Sequence, residues 1–519
     1  VPLNPEHLRS SFASEASSRG NHVRAAIRRA RTHEDMHRGR MLLLPLANQL
    51  AGLLAIPGEH AEIRRDRTAL VHELIPQLLD EGGLRRFSLR LRVLFELQAL
   101  LFEERRPDPL DFVETLRTFG RRPAKRPLPV LREVHRLRGL RRIARRLRRR
   151  VLLDAPACGE LAELLEEWLE GAEARFAERH TARIADALED AGVHGDRRSF
   201  EAAAQWILDR VLARGGADFL DLRDALAKGG ATLTDLTWTE LVVGDALLAA
   251  DRRMAVVLDG VYLRSESYLQ LFQRAQSMLF GTRAGRLLSS WALFPLLFAF
   301  TLLEFVQHVL AWFGLHRHLV GAASVGALAV LFSLLMNLPR LRRALGSTLG
   351  RPLGVFLERF HGGPPEWAER LGARIAEGWR RLFGSVTVLY YRTDEAIRYR
   401  GGHGRWTRHA EAWIALFAFL VGYVFRFLFR LSIEPTMNPL KHFPVVTVAG
   451  KLSMTGLFPL MVVGLRSVVP IGWAGTLALP ICLFIVPGMA GFLAWEMRTN
   501  WSLYQRGLPP DGDHPSFAG

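Results

Sequence analysis

From about residue 5 to residue 285, apolar side chains return every three or four positions between charged ones, the period of helices that bury one face. Hardly any stretch alternates with the period of two that a half-buried strand requires. At Trp291 the pattern changes. WALFPLLFAFTLLEFVQHVLAW, residues 291–312, is almost continuously apolar and long enough to cross a bilayer. Further apolar runs occupy 319–338, 412–431, 444–465 and about 469–495, the last interrupted by Pro480 and Pro487.

The expected fold is mainly α: a large helical cytoplasmic domain followed by a polytopic α-helical membrane bundle of about five spans. Residues 1–285 form an Arg-rich helical soluble domain with a sub-boundary at 121–129, where RRPAKRPLP sets three prolines among cations. A first transmembrane hairpin covers 286–338, a basic cytoplasmic loop 339–411, and three further spans 412–497. A disordered tail takes 498–519. Within the basic loop, Trp367–Phe383 has an amphipathic helical pattern, and Ser385–Tyr399 that of a small hairpin.

Two segments of the soluble part need separate readings. Arg38 and Arg40 followed by MLLLPLANQLAGLLAIPGEHA from Met41 imitate a secretory signal. Asn48, Gln49 and the internal position favour a buried helix, and no leader is expected at the first residues. Between Val130 and Val151, apolar residues repeat every three or four positions under a dense cover of arginines. The following segment, Gly159–Ala174, carries Glu160, Glu163, Glu166, Glu167, Glu170 and Glu173. A basic helix beside an acidic one predicts an antiparallel pair with matched charged flanks. Contact with lipid headgroups is the alternative.

Charge sharpens this picture. The formal net charge is +17, and most of the cations are arginine. Such a balance suits anionic headgroups, nucleic acid or simple topology control. Nucleic acid is disfavoured. The helix–turn–helix outline of Phe200–Ala227 puts Asp218, Asp221 and Asp224 where phosphate would lie, so a packed helical hairpin is expected instead. The expected partners are the lipid bilayer with its anionic headgroups and protein subunits of a membrane complex. With the arginine-rich loops inside, the chain reads as multi-pass in a bacterial inner membrane with its N-terminal domain cytoplasmic. Residues 314–318, the loop 432–443 and the tail then lie outside. Two cysteines, Cys158 and Cys482, exclude a disulfide framework.

Candidate chemistry is sparse. His33-Glu34-Asp35-Met36-His37 satisfies the H-E-x-x-H spacing of zinc hydrolases. Its arginine-rich surroundings repel a dication, and no third ligand stands at a recognisable spacing. Gly401-Gly402-His403-Gly404 lacks the Lys-Ser/Thr of a phosphate loop. No catalytic residue, cofactor or metal site is assigned.

The remaining candidates are polar residues within or beside the spans, which are costly in lipid. Glu304 and His308 share a helical face of the first span, and Arg426 and Arg430 share one of the third. Topology puts all four, with Lys451, in the outer half of the bundle. The expected pair is Glu304 with Arg426, His308 nearby, and Lys451 as the alternate partner. Glu434, Lys441 and His442, on a loop stiffened by prolines, complete a candidate polar cluster. The leading expectation is a structural, scaffold or accessory subunit rather than an enzyme. A transporter or channel component using the cluster, and an intramembrane enzyme acting on lipid, are the alternatives.

Overall fold

The computed structural model describes residues 21–30, 33–79, 89–105, 108–119, 121, 125–149, 156–314, 318–338, 374, 378, 405–433 and 445–505. The expected helix at 367–383, the hairpin at 385–399, Gly401–Gly404 and the tail from residue 506 lie outside the described residues, apart from Arg374 and Gly378. Helix dominates, as the periodicity requires. Among the described residues, paired strand is confined to β1 (Ala217–Asp218) and β2 (Tyr262–Leu263), parallel and in register Ala217 to Tyr262, and two isolated bridges.

The N-terminal domain begins with α1 (His22–Arg29), α2 (His33–Met41), α3 (Leu44–Leu53), α4 (Ala61–Gln77), α5 (Leu89–Glu104) and α6 (Phe112–Arg117). The signal-like stretch is the buried helix expected: Leu43, Leu46, Ala47, Leu50 and Leu54 are inaccessible to water or nearly so. The H-E-x-x-H segment forms α2, a helix of nine residues. Gly39 lets it lie against α1, since a Cβ there would stand 2.5 Å from that of Ala30.

Next come α7 (Pro129–Leu147), α8 (Pro156–Asp190), α9 (Arg197–Arg214) and α10 (Phe219–Gly229). The basic α7 and acidic α8 do form an antiparallel pair. Arg179 meets Glu133 at 3.1 Å near one end, Arg141 meets Glu173 in the middle, and Arg148 meets Glu166 at 3.0 Å near the other. The apolar stripe of α7, from Val134 through Leu137 and Leu140 to Leu147, faces the core. Opposite charges at matched positions thus cover a hydrophobic seam, so much of the arginine on α7 has an internal acidic partner. The segment 200–227 is a packed hairpin, α9 turning at Gly215 with φ 96° into β1 and α10.

The domain closes with α11 (Trp238–Val243), α12 (Ala246–Val257), α13 (Ser267–Phe280) and α14 (Arg283–Leu288). A π turn at Ser289–Leu293 joins α14 to α15 (Phe294–Trp312), and α16 (Ala322–Asn337) returns antiparallel to it. Ser333 donates to the carbonyl of Trp291 at 2.8 Å, and Asn337 to that of Ser290 at 2.9 Å. Beyond residue 404 come α17 (Arg405–Leu428) with a π turn to Ile433, and then α18 (Val445–Leu452) and α19 (Phe458–Leu465). The last two helices are α20 (Ile471–Pro480) and α21 (Val486–Gln505), joined by a π turn. Pro480 and Pro487 flank that turn, the interruption their missing N–H groups predict.

Among the described residues, four helices are long and apolar enough to cross a membrane: Arg283–Gln307, Trp406–Leu431, Val448–Leu465 and Gly472–Gln505. The fifth expected span is represented by Ala322–Asn337, which is shorter. The last helix continues to Gln505, past the expected start of the tail at 498, and buries Trp501, Leu503 and Tyr504 against the N-terminal domain.

Candidate functional site

Polar chemistry concentrates where the N-terminal domain meets α17 and α21. Local sequence places each carboxylate there. Gly215 turns the chain sharply after α9, so that Asp218 stands at the start of α10. One of its oxygens accepts from the backbone N–H groups of Leu220 (3.0 Å) and Asp221 (3.1 Å), capping that helix. The other pairs with Arg430 at the end of α17. One turn back on α17, Arg426 pairs with Glu266, the residue that precedes α13. Tyr423, another turn back, is hydrogen-bonded to Ser267 at 2.7 Å, and the Tyr268 ring meets Phe427 edge-on at 5.1 Å.

The last helix repeats the arrangement. Arg223 of α10 is almost wholly buried and pairs with Glu496 of α21, also buried, and with Asp224 at 2.8 Å. One turn on, Asn500 donates to Gln273 at 2.9 Å and to Gln276 of α13. Another turn on, Tyr504 donates to Asp245 at 2.7 Å, and Gln273 donates to the same oxygen. Asp245 meanwhile caps α12 by accepting from Leu248. Gly281 makes this approach possible: a Cβ would stand 2.8 Å from the Tyr504 ring. Phe280, Phe294 and Trp501 then join the end of the domain, the first membrane helix and the last in one aromatic cluster, with centroids 5.0–6.0 Å apart.

Burial sets the protonation of the domain's carboxylates. Asp221, one turn into α10, is pushed up to about 7 by burial and then by the neighbouring Asp218 charge. Arg214, 3.6 Å away, and also Arg210 and Arg430, pull it down. Burial likewise raises Asp245 and Asp251, while the hydrogen bonds each accepts oppose the rise.

The expected cluster is therefore divided. Glu304 does not meet Arg426. It accepts from Lys451, the alternate partner, at 2.6 Å. Arg426 and Arg430 face carboxylates of the N-terminal domain, so the end of α17 lies on the domain's side. The reason is long-range: both arginines find acids 160 and 212 residues earlier, beyond the reach of a local pattern. The loop that follows, from residue 434 to 444, lies outside the described residues. Glu434, Lys441 and His442 lie outside the described residues, as does the His308 side chain. Residues that sequence reasoning missed are Asp218, Arg223, Asp245, Glu266, Glu496, Asn500 and Tyr504. For the last three a signal existed, because Glu496, Asn500 and Tyr504 recur every fourth residue and share one helical face.

A second polar feature is a cleft of about 540 Å³ between α7 and α8, with Trp168, Leu128 and Leu137 in its wall. Arg132, Arg136, Arg175 and Arg179 surround it. Asp108 answers Arg132 at 2.6 Å, Glu104 holds Arg136 with two bonds of 3.0 Å, and Glu133 answers Arg179. With three of four guanidiniums neutralised, the cleft carries little charge for an anion.

Compared with protein-family models, with curated proteins and with solved structures, the chain matches none.

Proposed function

We propose that this chain is a structural or accessory subunit of a bacterial inner-membrane complex. Its helical N-terminal domain is fixed to the membrane helices and serves as a scaffold on the cytoplasmic side. The observation that carries this reading is the pairing of membrane-helix charges with the domain: Arg426 with Glu266, Arg430 with Asp218, and Glu496 with Arg223. A buried ion pair adds little net stability over well-packed apolar residues, but losing one partner is costly. Three such pairs between the same two parts therefore favour one fixed orientation, which a scaffold needs. The basic surface suits anionic headgroups, and protein subunits are the partners expected.

Copurification from native membranes tests the proposal. A partner present in stoichiometric amount is the expected result. A homogeneous preparation of this chain alone, with lipid, contradicts it.

A transporter or channel component is the second reading, favoured by one observation. The Lys451–Glu304 pair joins α15 to α18, away from the domain, and the Lys451 side chain is 33% exposed. Ionisable groups at such positions line pathways in other membrane proteins.

A further inference from the structure

We infer that α17 does not cross the membrane but lies in its interface, with its outward apolar face in lipid and its charged face on the N-terminal domain. Three observations converge on this placement.

Both ends of α17 rest on the domain. Near its start, Ala412 and Ala415 are buried against Leu110 and Leu116 beside α6, and His409 stacks on Phe119 at 5.4 Å. That segment is itself tied to the domain, through the bridge from Leu110 to Lys125 and the pair of Arg126 with Asp259 at 2.6 Å. At the other end, Arg426 and Arg430 hold Glu266 and Asp218. The helix and its π turn span about 40 Å, longer than the roughly 30 Å hydrocarbon core. A crossing helix would carry one end away from the domain.

The topology of the described residues agrees with it. The hairpin of α15 and α16 leaves the domain and returns, since Asn337 is bonded to Ser290 at the starting level. The hairpin running from α18 to α21 does the same: Gly450 faces Pro487, Ser453 is bonded to the carbonyl of Cys482, and Tyr504 ends on Asp245. Each hairpin contributes an even number of crossings. The N-terminal domain and the end of α21 touch, which accords with an even number of crossings. Among the described residues, a single crossing by α17 would make that number odd.

The helix is two-faced in the matching sense. Trp406, Trp413, Phe417, Leu420, Val424 and Leu428 recur every three, four or seven residues and are exposed, Trp406 by 76% and Phe417 by 69%. The opposite face carries Ala412, Ala415, Tyr423, Arg426 and Arg430 against the domain. A long helix with tryptophans on an exposed apolar face and cations on the other suits the headgroup–acyl boundary. Its π turn also packs on α21, which makes that apolar face continuous with the membrane hairpins. Lipid is therefore the occupant.

The test uses the full chain in nanodiscs containing anionic lipid. Trp406→Cys, Phe417→Cys and Leu428→Cys are labelled with an environment-sensitive fluorophore. The buried Cys158 and Cys482 of the parent chain give the labelling blank. Nitroxide lipids labelled near the glycerol or near the chain end report depth. The inference expects stronger quenching by the shallow nitroxide at all three sites, within about twofold of one another. Val421→Cys and Val424→Cys repeat the reading if a first variant fails to fold. Deepest quenching at residue 417, with 406 and 428 reached by an impermeant reagent from opposite faces, overturns it in favour of a crossing. No quenching by either lipid overturns it in favour of a protein partner or open water.

Discussion

Tyr504, in the last described turn of α21, donates to Asp245 across 2.7 Å, closing a contact between residues 259 positions apart. The carboxylate also accepts from Gln273 and from the backbone of Leu248, so it has no vacant direction in which to turn. Removing the phenol leaves a buried acceptor short of one donor. Tyr504→Phe should lower stability by about 1–2 kcal/mol, read by denaturant unfolding of the purified protein in detergent. Asn500→Leu should cost more, because it strips a donor from both Gln273 and Gln276. An unchanged midpoint in both variants would place α21 elsewhere.

The contribution of Asp221 to stability should fall as pH rises from about 4 to about 7, opposed by buried His180, which is lowered to about 4 and acts with the other sign. Asp221 has an ordinary value of 3.8 and is pushed up to about 7 in the folded protein. Between those values the folded state binds more protons than the unfolded one, so each rise in pH favours unfolding. Above the folded value the effect is constant. Asp245 and Asp251 are raised too and act with the same sign. Asp221→Asn should remove this falling contribution across the window, so that the variant's stability rises more, or falls less, with pH than the parent's, as measured by thermal unfolding. A slope unchanged by the substitution would show that Asp221 titrates normally.

Glu304→Gln separates the two functional readings. It removes the charge that faces Lys451 while keeping a similar side chain. The scaffold reading expects reduced thermal stability of the bundle with copurified partners retained. The transport reading expects lost solute or proton flux in proteoliposomes at nearly unchanged stability.

The flanks of α7 and α8 should behave as ordinary surface pairs. Arg141→Glu should cost no more than about 1 kcal/mol, and adding Glu173→Arg should restore much of it. The measurement is unfolding at low and at high salt, with the difference shrinking as salt rises.

Much of the helical plan was legible because it rests on local pattern. The stripe of α7 and the acids of α8 predicted their pairing, and the apolar run after Met41 was separable from a leader by Asn48 and Gln49. The junction was not legible for two reasons. Arg223 and Glu496 lie 273 residues apart, and no periodicity links them. The expected course of the third span also put Arg426 and Arg430 away from the domain, whereas they pair with its Glu266 and Asp218. The corrective signal was present in α17, where Ala412, Ala415, Tyr423, Arg426 and Arg430 share one face. That spacing marks a helix that rests its small residues on an apolar patch near its start and its cations on acids near its end. On α21 the expected end at Trp495 hid Glu496, the first of three polar residues one turn apart.

The most direct test of the central claim is a double-mutant cycle on Glu266 and Arg426 in the full-length protein. Glu266→Gln, Arg426→Gln and the double variant are unfolded under identical conditions in detergent. The pair is nearly buried, with side chains 12% and 9% exposed. A coupling energy of about 2–3 kcal/mol is predicted, the double variant being far less destabilised than the two single losses added together. Losses that simply add, to within about 0.5 kcal/mol, would contradict a domain held to its membrane helices by paired charge.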